Sequence, residues 1–319
     1  MERTPMLSIF VPTYNHEHYI KRALDSILMQ KTEYSYEVLV GEDASTDATR
    51  AVLQEYEKMH PGKLTVFYRE KNMNKMPVWN SLDLKMRAKG KYIIALEGDD
   101  FWIDDRKIQK QIDFLENHPE YIAVSHNCVV VGADSEPNGE HYPECKDEEY
   151  TFAHFFRRIM PGQFTTVMSK NYMTMHGLDR TLLTANLTPG DQLLYFSLLC
   201  HGRIYCMQEI MSAYRHITAC GSSYSATYRF DYKTESEWYR ALLKYAREHC
   251  NKENILKCEM LYIGCVVAGI KRNSLGMQDA FRELKTIPHG VRKASKYIAK
   301  KTCSKLAGVL KISPPNGFS

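Results

Sequence analysis

The sequence predicts an α/β protein on a mostly parallel sheet, followed by a helical C-terminal extension. Three observations carry this reading. Over the first 130 residues, short β-rich runs alternate with longer amphipathic ones, the order that builds parallel sheets with helices on both faces. Polar clusters recur at the ends of the first, second and fourth of those runs, where open parallel sheets bind ligands. From Tyr228 onward the patterning is helical.

The elements follow in order. "LSIFVP" (7–12) reads as a strand. "EHYIKRALDSILMQ" (17–30) reads as a helix, because Ile20, Ala23, Leu24, Ile27 and Leu28 share one face. "YEVLVGED" (36–43) is a second strand, after which Ser45 and Thr46 offer N-caps for a helix ending at the "HPG" near His60. "LTVFYRE" (64–70), a helix over 78–88 and "KYIIALEGDD" (91–100) repeat the unit. A helix from Asp104 to His118 leads into the strand "YIAVSHNCVVV" (121–131). Beyond it lie a polar loop (132–149), a short helix in "YTFAHFFRRI", a strand in "QFTTVMS" (163–169), a helix over 188–202 and an extended run over 203–216. The predicted division is residues 1–225, with a first half (1–131) and a second half (132–225) in which the pattern changes, then a helical extension (226–319).

Composition is that of an ordinary globular chain, with 44% hydrophobic and 25% charged residues, and no low-complexity tract. The opening segment reaches an apolar run of only about six residues before a polar turn, so no secretory signal is expected. The longest apolar run, within "MLYIGCVVAGI", falls short of the ~20 residues that span a bilayer. The nine cysteines include no CxxC pair, which argues against a disulfide framework or zinc ribbon and for reduced thiols in the cytoplasm. The net charge of +4 hides an asymmetry: residues 284–319 hold eight Lys/Arg and no Asp/Glu. In residues 290–312, Val291, Ala294, Ile298, Thr302, Leu306 and Val309 form an apolar stripe, with Lys293, Lys296, Lys300 and Lys301 largely elsewhere. Such a helix suits peripheral contact with the anionic inner face of the cytoplasmic membrane, or packing on the body with a solvated basic side.

The chemistry concentrates at the strand ends. Glu97, Asp99 and Asp100 crowd together after an apolar strand, and like charges that close repel. An oxygen-only set of this kind suits Mg²⁺ or Mn²⁺ beside a substrate phosphate, while an acidic turn in open solvent is the plain alternative. Asp43, in "GEDASTD", offers an acceptor-only carboxylate to a nucleobase N–H, unless Glu42 and Asp43 simply end a strand and Asp47 favours a helix N-terminus.

"IFVPTYNHEHYIKRALDSI", "EVLVGEDASTDAT" and "GKYIIALEGDDFWIDDRKIQKQIDFLENHP" resemble, in the right order, the family-2 inverting glycosyltransferases of bacterial surface-polysaccharide synthesis. The resemblance covers about residues 5–225 and implies the GT-A fold, a Rossmann-like sheet that binds a nucleotide-sugar. It implies that Pro12, Thr13, Tyr14, Asn15 and Glu17 line the nucleotide pocket, and that Asp43 contacts the base, usually uracil. Glu97, Gly98 and Asp99 stand where the family has its DxD-type motif, with Asp99 as metal ligand and Asp100 beside it; Glu97 departs from the usual Asp. The resemblance also implies a catalytic base at the start of a later helix, where "PGDQLLYF" supplies Asp191. A carboxylate there could take a proton from an acceptor hydroxyl, or merely favour the helix dipole. "SAYRHITACGSS" resembles a loop that closes over the diphosphate, with Arg215 and His216 toward phosphate and Gly221–Ser223 giving freedom. His216 is also readable as an ordinary surface histidine.

The expected reaction is metal-assisted sugar transfer from a UDP-type donor to a glycan or lipid-linked acceptor. Two other readings compete. A nucleotidyltransferase would show a basic Gly-rich loop after strand one, but "PTYNHEHY" contains neither glycine nor lysine. A catalytically inactive nucleotide-sugar-binding scaffold would have little use for Asp43, Asp99, Asp100 and Asp191 together. Nucleic acid is not expected as a partner, because the basic tail lacks interleaved aromatics.

Overall fold

The computed structural model describes residues 4–73, 79–217 and 229–310, with side chains to residue 300. It divides into two units, residues 1–227 and 228–319.

The first unit is an α/β layer structure around one mixed sheet. Strands β1 (Leu7–Thr13), β2 (Tyr36–Glu42), β3 (Thr65–Tyr68) and β4 (Tyr92–Ala95) pair in parallel in the order β3-β2-β1-β4. Helices α1 (Ile20–Leu28), α2 (Thr49–Met59) and α3 (Asn80–Arg87) connect them. The register sets Thr13 beside Glu42 and Phe10 beside Ala95, so these strands end on one rim. Burial explains why they form. Ile20, Ala23, Leu24 and Ile27 of α1 are buried at helical spacing against Ile9, Val11 and Val40, and each of the Ile and Leu side chains contributes ~1.5–3 kcal/mol by leaving water.

The sheet continues β4-β8-β6-β9-β5 through β5 (Phe101–Trp102), β6 (Tyr121–Val131), β8 (Met168–Lys170) and β9 (Arg203–Arg215). Strand β8 is antiparallel to β4 and β6, while β9 runs parallel to β6. The far edge of β9 takes two short antiparallel strands, β7 (Glu149–Tyr150) near its start and β5 near its end. Helices α4 (Lys107–Asn117), α5 (Phe152–Phe156) and α6 (Gly190–His201) are the other α-helices among the described residues of the unit.

Three local readings change. Helix α2 starts at Thr49, because Ser45 and Thr46 bind Asn15 instead of capping it. Residues 164–166 form a 3₁₀ turn in which the Gln163 side chain accepts from Thr165 N–H, so the expected strand shortens to β8. The run "FW" after the carboxylates is strand β5, too short to show a period.

In the second unit α7 (Tyr232–His249), α8 (Lys252–Lys271), α9 (Met277–Lys285) and α10 (Gly290–Leu310) pack around Leu242, Tyr262, Ile263 and Val266. Ala294 of α10 is buried and Lys293 pairs with Glu259, whereas Val291 and Ile298 of the expected apolar stripe are exposed. This part of the helix therefore packs within its unit through a narrower face than the sequence suggested.

Candidate active site

The turn from Leu96 to Asp100 is clamped on two sides. Leu96 and Gly98 donate backbone hydrogen bonds to Phe10 and Pro12 of β1, at 3.0 and 3.2 Å. On the other side Phe101 and Trp102 pair with Ala213 and Ser212 of β9. Gly98 lies so close to β1 that a Cβ would stand 2.6 Å from Thr13 Oγ1 and 2.7 Å from His16 Nδ1. A side chain does not fit at residue 98, so the turn that carries Glu97 and Asp99 passes directly against the end of β1.

The three carboxylates are not equivalent. Asp99 is 32% exposed at the rim, 3.9 Å from His16 Nε2. Asp100 is 1% exposed, and its two oxygens accept from Arg215 N–H at 2.8 Å and Thr165 Oγ1 at 3.4 Å. The structure therefore separates the two residues read from the sequence as metal ligands: Asp99 faces the rim, while Asp100 braces the turn from beneath. Glu97 lies between, with Gln163 Nε2 3.5 Å from its Oε2. Burial, then repulsion from Asp99 and Asp191, pushes Glu97 up to about 8. Burial drives Asp100 well above the carboxylate range, with Asp99 and Glu97 adding to it. An oxygen-only donor set under this much like-charge strain fits a hard divalent cation.

On the neighbouring strands, Pro12 is half-buried, Thr13 is buried and Tyr14 presents an exposed ring. Asn15 and Glu17 are tied inward. Asn15 takes a left-handed backbone (φ 56°), and its Oδ1 accepts from Thr46 N–H at 2.8 Å. Glu17 Oε2 accepts from Ala48 N–H at 2.7 Å. Both thus hold the loop that leads into α2. Asp43 is buried, with its Oδ1 accepting from Met73 N–H at 2.8 Å and its own N–H bound to Thr13 O at 3.0 Å. Burial raises its carboxyl above the usual range.

Opposite this rim, Asp191 opens α6, with Oδ1 accepting from Gln192 N–H at 2.8 Å. Burial raises its pKa, and the backbone N–H groups and the Lys85 charge partly offset that rise. Lys85 reaches in from α3, its Nζ 5.5 Å from the rings of both Phe10 and Phe164. Burial pulls its amine down to about 8, and Asp191 opposes the shift. Tyr142 and Tyr214 meet edge to face at 5.6 Å, and burial followed by carboxylate repulsion raises both phenols. That repulsion comes from Asp191 and Glu97 at Tyr142, and from Glu97, Asp100 and Asp99 at Tyr214. The Asp191 and EGDD carboxylates therefore sit close enough to raise each other's neighbours.

Arg215 is not an open phosphate contact. It is 4% exposed and lies 4.0 Å over the Tyr19 ring. Its Nε donates to Asp99 O at 2.8 Å, Nη1 to the carbonyls of Gly132 and Ala133, and Nη2 to Ser135 Oγ at 2.8 Å. A guanidinium so engaged ties the EGDD turn to the start of the 132–149 loop. His216 donates its N–H to Val131 O at 3.0 Å, and its ring pairs with Glu140. Gly221–Ser223 lie outside the described residues.

The glycosyl transferase family 2 model matches residues 8–183, more than half of the chain. The chain belongs to glycosyl transferase family 2. Among its relatives, the uncharacterized protein Rv1520 of Mycobacterium tuberculosis is 32% identical over 209 residues, covering 66% of this chain and 58% of its own length. A Bacillus subtilis protein named as a candidate teichuronic acid biosynthesis glycosyltransferase, TuaG, is 36% identical over 111 residues, 35% of this chain and 42% of that protein. The chain thus spans less than two thirds of the length of these relatives. In structure it resembles S. aureus TarS 1–349 in complex with UDP-GlcNAc, with a TM-score of 0.64 at 16% identity over 91% of this chain and 88% of that one. The mannosyltransferase PcManGT of Pyrobaculum calidifontis, solved with GDP-Man and Mn²⁺, has a TM-score of 0.50 at 15% identity over 96% and 88% of the two chains. The fold of this family-2 protein is therefore GT-A.

Five residues of the site escape a reading of the family-2 sequence motifs. His16, Lys85, Gln163, Tyr142 and Tyr214 carry no spacing signal. Lys85 lies in "DLKMR", which reads as the solvated side of an amphipathic helix, and only the packing of α3 on β1 turns its amine inward.

Proposed function

We propose that the chain is a glycosyltransferase that moves a sugar from a UDP-type donor to a hydroxyl of a glycan or lipid-linked acceptor, with inversion. The supporting observation is the pairing across one rim of the Glu97–Asp99 carboxylates with a second carboxylate, Asp191, at a helix N-terminus.

Asp99, with Glu97 beside it, would hold a Mg²⁺ or Mn²⁺ ion. When bound, the ion supplies Lewis-acid stabilisation of the negative charge that develops on the leaving diphosphate. The chain's own residues do the rest. The exposed Tyr14 ring offers a face to the base, and Asp43 an acceptor oxygen to its N–H. Asn15 and Glu17 shape the pocket by holding residues 46–48. Asp191, kept basic by its raised pKa, takes the proton from the acceptor hydroxyl as that oxygen attacks the anomeric carbon from the side opposite the diphosphate. Arg215 and Asp100 keep the EGDD turn in place, a positioning role.

Among the described residues no helix is long and apolar enough to cross a membrane. The basic α10 would meet an anionic membrane surface at the cytoplasmic face, and its exposed Val291 and Ile298 support that contact.

Calorimetry of UDP and GDP with Mn²⁺ or EDTA, on wild type and Asp99→Ala, tests the donor half. The expected result is UDP binding that needs both metal and Asp99. Absence of nucleotide binding under every condition would leave the scaffold reading. Asp191→Asn tests the base: turnover should fall by roughly 10²–10⁴-fold with donor affinity nearly unchanged. Near-normal turnover would remove Asp191 from this role.

A further inference from the structure

A second cluster of metal-ligating groups lies on the acceptor side, outside the site described above. The Cys145 thiol, the Asp147 carboxylate and the His154 ring place one ligand atom each within 4.8 Å of one another. Asp147 Oδ2 is 2.8 Å from His154 Nε2. The Cys145 thiol donates to Asp147 O at 3.5 Å, Gln208 Nε2 donates to the carbonyls of Cys145 and Cys206 at 3.5 and 2.9 Å, and the two cysteines are 0% and 1% exposed. These four side chains come from three places: the 132–149 loop, helix α5 and strand β9. A tetrahedral ion with bonds of 2.0–2.3 Å sets its ligands roughly 3.3–3.8 Å apart, so Cys145, Asp147 and His154 would close up by about 1 Å or less, and Cys206, which is not one of those three, would have to swing in further as the fourth ligand.

We propose that Cys145, Cys206, His154 and Asp147 form a structural zinc site. Two sulfurs, an imidazole nitrogen and a carboxylate oxygen suit Zn²⁺ and do not suit the Mg²⁺ or Mn²⁺ expected at EGDD. Zinc binding would change the ring's tautomer. Thr151 N–H donates to His154 Nδ1 at 3.1 Å, and Thr151 Oγ1 lies 3.1 Å from the same nitrogen. Binding zinc at Nε2 would shift the ring proton to Nδ1, which gives up its hydrogen bond from Thr151 N–H and donates instead to Thr151 Oγ1, the outer partner that orients a metal-bound histidine. The two thiols ligate as thiolates, so binding also releases their protons to solvent.

The ion would join elements that the backbone joins only weakly. Cys145 N–H donates to Met160 O at 2.7 Å and Cys206 N–H to Glu148 O at 2.8 Å, and the loop holds no regular strand before β7. Tyr142, three residues before Cys145, neighbours Asp191. A zinc clamp here holds that stretch of loop against β9.

The test is cobalt substitution in the full chain, stripped of metal by chelator and titrated with Co²⁺ under reducing conditions. One equivalent should give a near-ultraviolet thiolate-to-cobalt charge-transfer band with visible bands of tetrahedral intensity, both removed by Zn²⁺. The EGDD carboxylates give no thiolate band, so the two sites are distinguishable. Asp147→Asn, at an exposed side chain, should keep the fold and weaken Co²⁺ by on the order of 10-fold or more. His154→Gln and Cys145→Ser should abolish the band, and Cys250→Ser should leave it intact. Absence of a thiolate band in the wild type would overturn the proposal, as would a band that survives in both Cys145→Ser and Cys206→Ser. So would a denatured, unreduced chain with two fewer reactive thiols than its nine cysteines, lost in Cys145→Ser, which would mean a Cys145–Cys206 disulfide.

Discussion

Lys85 and Asp191 show how single residues set the conditions of the site. As the proposed base Asp191 would work ionised, and burial raises its pKa, so activity should fall as pH drops through a value above the ordinary carboxylate range. The Lys85 charge holds that value down, so Lys85→Met should move the acid limb of kcat/KM to higher pH; an unmoved limb would sever the two residues. Glu97 makes the corresponding prediction for stability. Its folded pKa, about 8, exceeds the ordinary value, so the native state binds the extra proton. Its contribution is present below the ordinary carboxylate value and is lost as pH rises through about 8. In EDTA the chain should therefore melt higher at pH 5.5 than at pH 8.5, with a smaller difference in Glu97→Gln. Gly98→Ala drives a Cβ to within 2.8 Å of Thr13 and His16, and should cost about 1–3 kcal/mol in urea unfolding together with much of the UDP affinity.

Among the elements, the two-residue β5 has an influence beyond its length. It makes the chain leave β4, form the carboxylate turn and join the opposite end of the sheet on β9. Trp102 anchors it, buried against α1, with its N–H bound to Ser26 Oγ at 3.1 Å and Nε1 to Thr165 O at 3.4 Å. Trp102→Ala should cost about 3–5 kcal/mol in urea unfolding and weaken metal-dependent UDP binding, because the turn loses one of its two clamps. Full UDP affinity in a destabilised Trp102→Ala chain would show that β1 alone holds the turn.

For the whole molecule, the basic tail has a packing role in the structure and a proposed role at a membrane surface. Through Ala294 and the Lys293–Glu259 pair, α10 belongs to the core of the second unit. Lys296 and Lys300, with Val291 and Ile298, are exposed. A chain ending at residue 285 should therefore melt at a lower temperature and also stop floating with anionic vesicles. Flotation equal to that of the full chain would leave α10 a packing helix with a solvated basic side.

The sequence by itself determined the α/β class, the rim where the strands end, and the polar motifs that stand on that rim, because those signals are local. Apolar strands and amphipathic helices repeat at fixed periods, and "PTYN", "GEDASTD" and "EGDD" stand directly at strand ends. Asp191 was legible for the same reason, as a carboxylate in the first turn of a periodic helix. Only the tertiary structure decided which of these carboxylates faces the rim. Asp99 and Asp100 are neighbours in sequence, yet Arg215, from more than a hundred residues away, holds Asp100 below the surface. Lys85, Gln163, Tyr142 and the Cys145–Cys206 cluster were illegible because none repeats at a period or sits in a short motif. Their meaning comes from burial beside groups distant in the chain, and burial shifts charge and chemistry in ways that no spacing records.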